Sequence, residues 1–259
     1  MTHRFAAISL ALGALVPPCA ARAETPWYIS GSAGGYFRED DTAKTTFTRK
    51  AFVLASPPVT PPAAASPGEI VVIGTRRPLV PVLQTFHAAG VVKQSHRPGE
   101  DLSLALGYRF SARFRVEVEA GYTAYSAGTL RPFTTSPNFP ALDGRAFQQK
   151  AGGDYSSTTA TLNGFYDFRP TASGWAPYVG VGVGGAATTR SAGTFVSAQG
   201  NTLHSAGGSG ASGLALAEAG LNIRLTPNLT LAPAYRYVHY FNVGGDVAHV
   251  AKASLRYVF

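Results

Sequence analysis

From Trp27 to the last residue, the chain is dominated by segments in which apolar residues alternate with small or polar ones. That period of two is what a strand with two unlike faces requires. Eight such segments are read: Trp27–Phe37, Asp101–Phe110, Arg115–Tyr125, Ser157–Phe168, Ala176–Ala187, Gly213–Leu225, Leu229–Asn242 and His249–Phe259. In Arg115–Tyr125 one face carries Val116, Val118, Ala120, Tyr122 and Ala124, and the other Arg115, Glu117, Glu119, Thr123 and Tyr125. Leu102, Leu104, Leu106, Tyr108 and Phe110 oppose Asp101, Ser103 and Arg109 in the same way. Ala217, Ala219, Leu221, Ile223 and Leu225 oppose Glu218, Asn222 and Arg224. Ala251, Ala253, Leu255, Tyr257 and Phe259 oppose Lys252, Ser254 and Arg256.

The links between these segments alternate in length. Ser111–Phe114, the stretch RPTASGW and the stretch TPN are turn-sized, whereas residues 38–100, 126–156 and 188–212 are long. The final link, VGGDVA, is short and glycine-rich. Long and short links alternating over an even number of strands predict an all-β fold of a particular kind: an eight-stranded antiparallel up-and-down transmembrane β-barrel with long extracellular loops and short periplasmic turns. A soluble barrel would bury the apolar face and expose the charged one, and alternation alone does not separate the two. The short turns, the Tyr and Phe residues at segment ends and the scarcity of charge favour lipid outside and a polar lumen inside.

Composition sharpens this picture. Hydrophobic residues make up 45% of the 259 and charged residues only 14%, against about a quarter charged in ordinary soluble domains. Mean hydropathy is only +0.04, which excludes a bundle of membrane helices. The net charge of +8 invites nucleic acid, but the basic residues are scattered among the strand segments with no cluster, zinc spacing or RNA-binding motif, so no nucleic acid is expected.

Residues 1–23, MTHRFAAISLALGALVPPCAARA, combine Arg4, an apolar run from Phe5 to Val16 and a small-residue end, and predict a signal peptide cleaved after Ala23. The run is shorter than the about 20 residues a membrane helix needs. The single cysteine, Cys19, lies inside this leader after Pro18, where a lipidation site has a small residue. The mature chain, residues 24–259, therefore has no disulfide and is expected to be an integral protein of the cell outer membrane.

At this point a resemblance appears. APYVGVGVGGA, YRYVHYFNVGGD and the terminal LRYVF resemble the porin-like outer-membrane β-barrel surface antigens of Gram-negative bacteria, related in architecture to the OmpA/OmpX-type eight-stranded barrels. The resemblance spans Trp27–Phe259, although the 38–100 loop is long for that family. It implies a non-enzymatic, monomeric barrel that displays surface loops. It also implies that Phe259, with Tyr257 and Leu255, is the signal read by the outer-membrane assembly machinery.

Candidate chemistry lies mainly in the inward charges. Strict parity places Asp101, Glu117, Glu119, Asp167 and Glu218 in the lumen with Arg109, Arg115, Arg224, Arg236, Lys252 and Arg256. An eight-stranded bore is just wide enough for side chains to fill. A balanced set is then expected to form a salt-bridge plug, or else to line a narrow passive pore for ions or small solutes. Gly180, Gly182 and Gly184 are expected to face inward and leave room for long side chains from other strands. RYVHYFNVGG superficially resembles a lipid A deacylase stretch, but the position two beyond His239 is Phe241, which cannot act as a nucleophile. A lipid A-modifying enzyme is thus a remote alternative, and no cofactor or metal is expected.

In the first loop, residues 56–68 are Pro/Ala-rich and expected to be extended. EIVVIGTRRP resembles the coupling segment of TonB-dependent receptors, but it follows a strand and no plug domain follows it. The loop is expected to add β-structure above the barrel. Its cations Arg76, Arg77, Lys93 and Arg97 are candidates for contact with lipopolysaccharide phosphates, and an extracellular ligand is a further candidate partner.

Overall fold

The computed structural model describes residues 26–55, 80–134, 144–169, 174–200, 202–241 and 246–259. The leader 1–23, the Pro/Ala-rich stretch 56–68, and Arg76 and Arg77 lie outside them. The described residues hold thirteen strands: β1 Trp27–Arg38, β2 Asp41–Ala55, β3 Val80–His96, β4 Gly99–Arg109, β5 Phe114–Phe133, β6 Phe147–Gly152, β7 Asp154–Asp167, β8 Trp175–Arg190, β9 Gly193–Ser197, β10 Thr202–Ser205, β11 Gly208–Arg224, β12 Leu229–Tyr240 and β13 Val247–Val258.

Eight of them, β1, β4, β5, β7, β8, β11, β12 and β13, pair in that order, every pair antiparallel. The pairing of β13 with β1, from Tyr28 opposite Val258 to Arg38 opposite Ala248, closes the ring and leaves no edge. Closure matters because lipid offers no hydrogen-bond partner to an exposed strand edge. The ring strands are the eight segments read from the alternation, with ends shifted by a few residues. The largest shift is in β5, which runs on to Phe133.

Parity sorts the faces as expected for a membrane barrel. Leu104, Val118, Leu162, Val181 and Leu255 are half exposed or more on the outside, while Arg115, Glu117, Glu119 and Glu218 are buried inside. Aromatic side chains gather in belts. At the short-turn end Trp27 meets Tyr108 at 4.9 Å, Phe114 meets Tyr166 at 5.1 Å and Tyr257 meets Phe259 at 5.7 Å between centroids. At the other end Phe37, Tyr235, Tyr237 and Phe241 are exposed. Such rings suit the two lipid–water interfaces, where one side is apolar and the other wet.

Inside, glycines meet rings across the ladder. A Cβ built on Gly107 would lie 2.1 Å from the Tyr28 ring, and one on Gly180 would lie 2.2 Å from Phe165. Each pair is in register, Tyr28 with Gly107 and Phe165 with Gly180. Bare backbone therefore lets a large inward ring lie flat against the wall.

The five remaining strands extend the wall beyond the barrel mouth. β5 is the spine of this extension. It pairs with β4 up to Ala124 and then with β3 from His96 opposite Ala127 to Val91 opposite Phe133. On its other side it leaves β7 at Ser126 and takes up β6 at Thr129 and Leu130. β2 adds outside β3, and β9 and β10 add outside β6. Ala127, Leu130, Phe147 and Phe195 bury against one another in this upper sheet. At its root the buried His96 side chain packs edge-on against Tyr125 and Tyr155, with Nε2 3.4 Å from Asp41 Oδ2.

Candidate functional site

The lumen is layered along the barrel axis. Nearest the short turns lies a cluster built on Arg115, whose side chain is 1% exposed. Its Nε donates to Asp167 at 3.2 and 3.3 Å, its Nη1 pairs with Glu117, and the guanidinium stacks over Phe165 with Cζ 3.8 Å from the ring centroid. Tyr28 donates to Glu117 at 2.7 Å, and Arg256 stands 3.9 Å from the same carboxylate. Asn222 ties the cluster together, donating to Asp167 at 2.9 Å and accepting from Arg256 at 3.0 Å.

The next layer crosses the bore. Arg236 on β12 donates through both terminal nitrogens to Glu119 on β5, at 2.5 and 2.7 Å, and through Nε to Glu218 at 2.7 Å. β5 and β12 are four places apart in either direction round the eight-strand ring, so this ion pair spans the full diameter. Lys252 adds contacts of 3.1 Å to Glu218 and 3.7 Å to Glu119, and Tyr178 donates to Glu218 at 2.8 Å. Fork-to-carboxylate geometry of this kind fixes direction as well as distance.

Above it, the inward face of β11, β12 and β13 turns apolar, while Asp101, Thr123, Thr159 and Thr161 face it from the other walls. Leu214, Leu216, Val238 and Val250 are buried with Tyr36, Tyr125 and Tyr240. The space left between Leu214, Leu216, Val238 and Val250 on one side and Asp101, Thr123, Thr159 and Thr161 on the other is a cavity of about 20 Å³. Asp101 there accepts a hydrogen bond from Thr123 at 3.0 Å. At the mouth the lumen opens into a vestibule of about 320 Å³ lined by Tyr36, Arg38, Tyr125, Tyr155, Arg190 and Tyr240.

Sequence parity therefore locates nine of the eleven inward charges in or beside these layers, and two stand apart. Arg224 has inward parity, but the wall ends there: it is paired with Thr230 in the last rung, and its side chain emerges exposed at the turn. Asn222, one step up, takes the last enclosed place. Arg109 is half-buried one rung from the other turn and forms no ion pair with any described residue, and its Nε is buried without a hydrogen bond. Beside the expected polar lumen, the β11, β12 and β13 walls also carry an inward apolar patch, Leu214, Leu216, Val238 and Val250, over the charged layer. Tyr28, Asn163, Phe165 and Tyr178, which share the inward parity, were not singled out as site residues. Their positions are legible; that the polar tips of Tyr28, Asn163 and Tyr178 and the ring face of Phe165 complete the charge network is not.

On the outer surface, His239 lies against Phe241, ring centroids 5.4 Å apart, in the aromatic belt. His249, also facing outward, bonds Tyr235 at 2.5 Å and Glu39 at 3.0 Å. Lys93 is exposed on β3 with its ammonium 5.8 Å from the Phe133 ring centroid, and Arg97 is exposed at the loop beside β4. Leu255 and Phe259 are each 51% exposed on the outside of the closing strand. Among the described residues, no three metal-ligating side chains come together.

A closed eight-stranded ring, greasy and belted with aromatics outside and charged inside, defines an integral outer-membrane barrel. The sequence profile of the outer membrane protein β-barrel domain matches residues 5–259, and the chain belongs to that family. No curated protein matches it. Among solved structures, Neisserial surface protein A (NspA) aligns at 16% identity over 91% of this chain and 98% of its own, with a TM-score of 0.42. Ail, the attachment invasion locus protein of Yersinia pestis, aligns at 12% identity over 90% of this chain and 98% of its own, with a TM-score of 0.36.

Proposed function

We propose that this protein is a non-enzymatic membrane anchor for a surface-exposed β-sheet, and that its bore is closed by salt bridges. The observation that carries the reading is the Arg236–Glu119 pair across the bore, clamped on one side by Glu218 and Lys252. A charge held in such a network gives up its partners only at a cost of several kcal/mol, so ions do not pass without breaking it. Over it, Leu214, Leu216, Val238 and Val250 pack with Tyr36 and Tyr240 and leave only about 20 Å³ beside Asp101, Thr123, Thr159 and Thr161, room for about one water molecule and too little for a hydrated ion. The sheet of β2, β3, β6, β9, β10 and upper β5 then stands outside the cell as the face on which partners act. Lys93 and Arg97 at its base suit contact with lipopolysaccharide phosphates. Phe259, Tyr257 and Leu255 present the outward-facing end of the closing strand to the assembly machinery. A passive pore is the competing function, and a planar-bilayer recording of the purified barrel tests the choice. A silent trace is expected; discrete, reproducible conductance steps from the unaltered protein overturn the closed-bore reading.

A further inference from the structure

The vestibule has a specific origin in the sequence GSGASGLALAE. In β11 the inward parity runs Gly208, Gly210, Ser212, Leu214, Leu216 and Glu218. The last three fill the bore, and the first three leave it open. A Cβ built on Gly208 or Gly210 would meet no atom of a described residue within 4 Å, unlike those on Gly107 and Gly180, which would collide with rings. The missing side chains therefore leave real space, not a seat for a neighbour. Across the ladder, Arg190 faces Gly208 and Thr188 faces Gly210. Beyond them Tyr155 is in register with Arg190, and Ser157 with Thr188.

The walls are of two kinds. Tyr36, Tyr125 and Tyr155 form a stack, with centroids 5.1 and 4.8 Å apart, and Tyr240 closes it through a hydroxyl contact of 3.3 Å to Tyr36. Facing them are the hydroxyls of Ser157, Thr188 and Ser212. Two guanidinium groups complete the lining. Arg38 is neutralised by Asp246, with Asp41 3.7 Å away. Arg190 has no carboxylate within ion-pair distance among the described residues. Its Nη groups are held by neutral oxygens: Tyr155 at 3.4 Å, Ser205 at 2.8 Å and the Ala206 carbonyl at 2.5 Å. Those bonds fix the guanidinium at the rim, and no carboxylate of a described residue compensates its charge.

We propose that this vestibule is a binding site for an acidic sugar, a saccharide unit bearing one carboxylate. Tyr36, Tyr125 and Tyr240 are buried and Tyr125 carries a ring on both faces, so the stack offers ring edges and phenolic hydroxyls; with the Ser and Thr hydroxyls these match the hydroxyls of a sugar, and a guanidinium pairs with a carboxylate better than any other side chain. A volume of about 320 Å³ is at the small end of ligand cavities, about 300–1,000 Å³, and suits one or two sugar rings. The closed floor makes it a dead-end site, so binding here is recognition at the cell surface and not transport.

Calorimetric titration of the refolded barrel in detergent, at low salt, tests this with glucuronate, glucose and sodium sulfate. Saturable glucuronate binding is expected, with glucose weaker by about tenfold or more, the equivalent of one lost charge-assisted contact. Arg190→Gln should remove that preference, bringing glucuronate affinity down to that of glucose in the same variant. Gly210→Val, which fills the space without touching charge, should remove both. Heat-modifiable migration on gels reports whether each variant is folded. If Arg190→Gln does not fold, Gly210→Val and the glucuronate–glucose comparison on the unaltered protein decide. Absent saturable binding, equal affinity for glucuronate and glucose, displacement by sulfate at equal concentration, or undiminished binding in folded Gly210→Val overturns the proposal.

Discussion

Glu218 shows how much one inward carboxylate holds. It accepts from Arg236 and Tyr178 and lies 3.1 Å from Lys252. Removing it leaves two cations facing Glu119 alone, and breaking a buried pair from one side costs about 3–5 kcal/mol. Glu218→Ala should therefore lower the urea unfolding midpoint and raise bilayer conductance together. Arg224→Ala is the contrast: the side chain is exposed at a turn, where such charges contribute about 0–1 kcal/mol, so neither quantity should move. An unchanged midpoint in Glu218→Ala would mean that the lumen charges are hydrated and do not lock the bore. At this scale parity was readable and partnership was not. Nothing in the spacing of Glu119 and Arg236 along the chain says that their side chains meet across the diameter of a ring.

Among the elements, two strands carry separable roles. The closing strand β13 bonds β12 on one side and β1 on the other, and ends with Phe259 half exposed on the outside. Its ring adds little to a barrel already formed, but it is presented where an assembly factor can reach it. Phe259→Ala is expected to reduce the amount of protein inserted in the outer membrane while leaving the unfolding midpoint of the inserted fraction unchanged. Equal amounts of both proteins across several expression levels would refute it. The hairpin β2–β3 is, by contrast, an addition to a ring that does not need it. Tyr36 and Gly99 are direct partners, so a short turn can replace the hairpin. A barrel lacking residues 41–96 should still insert and stay folded in detergent; failure to insert would make the extension part of the folding unit. These upper strands are only partly legible in the sequence. Their residues pack one against another at the mouth, with no lipid and lumen to impose a two-sided alternation, so the period that revealed the ring strands is weak there.

For the molecule as a whole, closure decides behaviour. Every ring strand has a neighbour on both sides, so unfolding must break a ladder and expose backbone that detergent cannot satisfy. The unheated protein should therefore migrate on gels differently from a boiled sample, and identical mobilities would count against a closed barrel. By itself the sequence determined the class of fold, the eight ring strands and which face of each meets lipid. It could do so because a membrane imposes the same two-sided demand on every residue of every strand, and that demand is written locally. The tertiary structure alone decided which inward charges are partnered, that Arg224 lies beyond the wall, that a Leu/Val patch faces Asp101 and threonines over the ion pairs, and that Gly208 and Gly210 leave open space while Gly107 and Gly180 do not. Each of these depends on what stands opposite across the bore, and that is set only when the ring closes and brings distant strands to the same height.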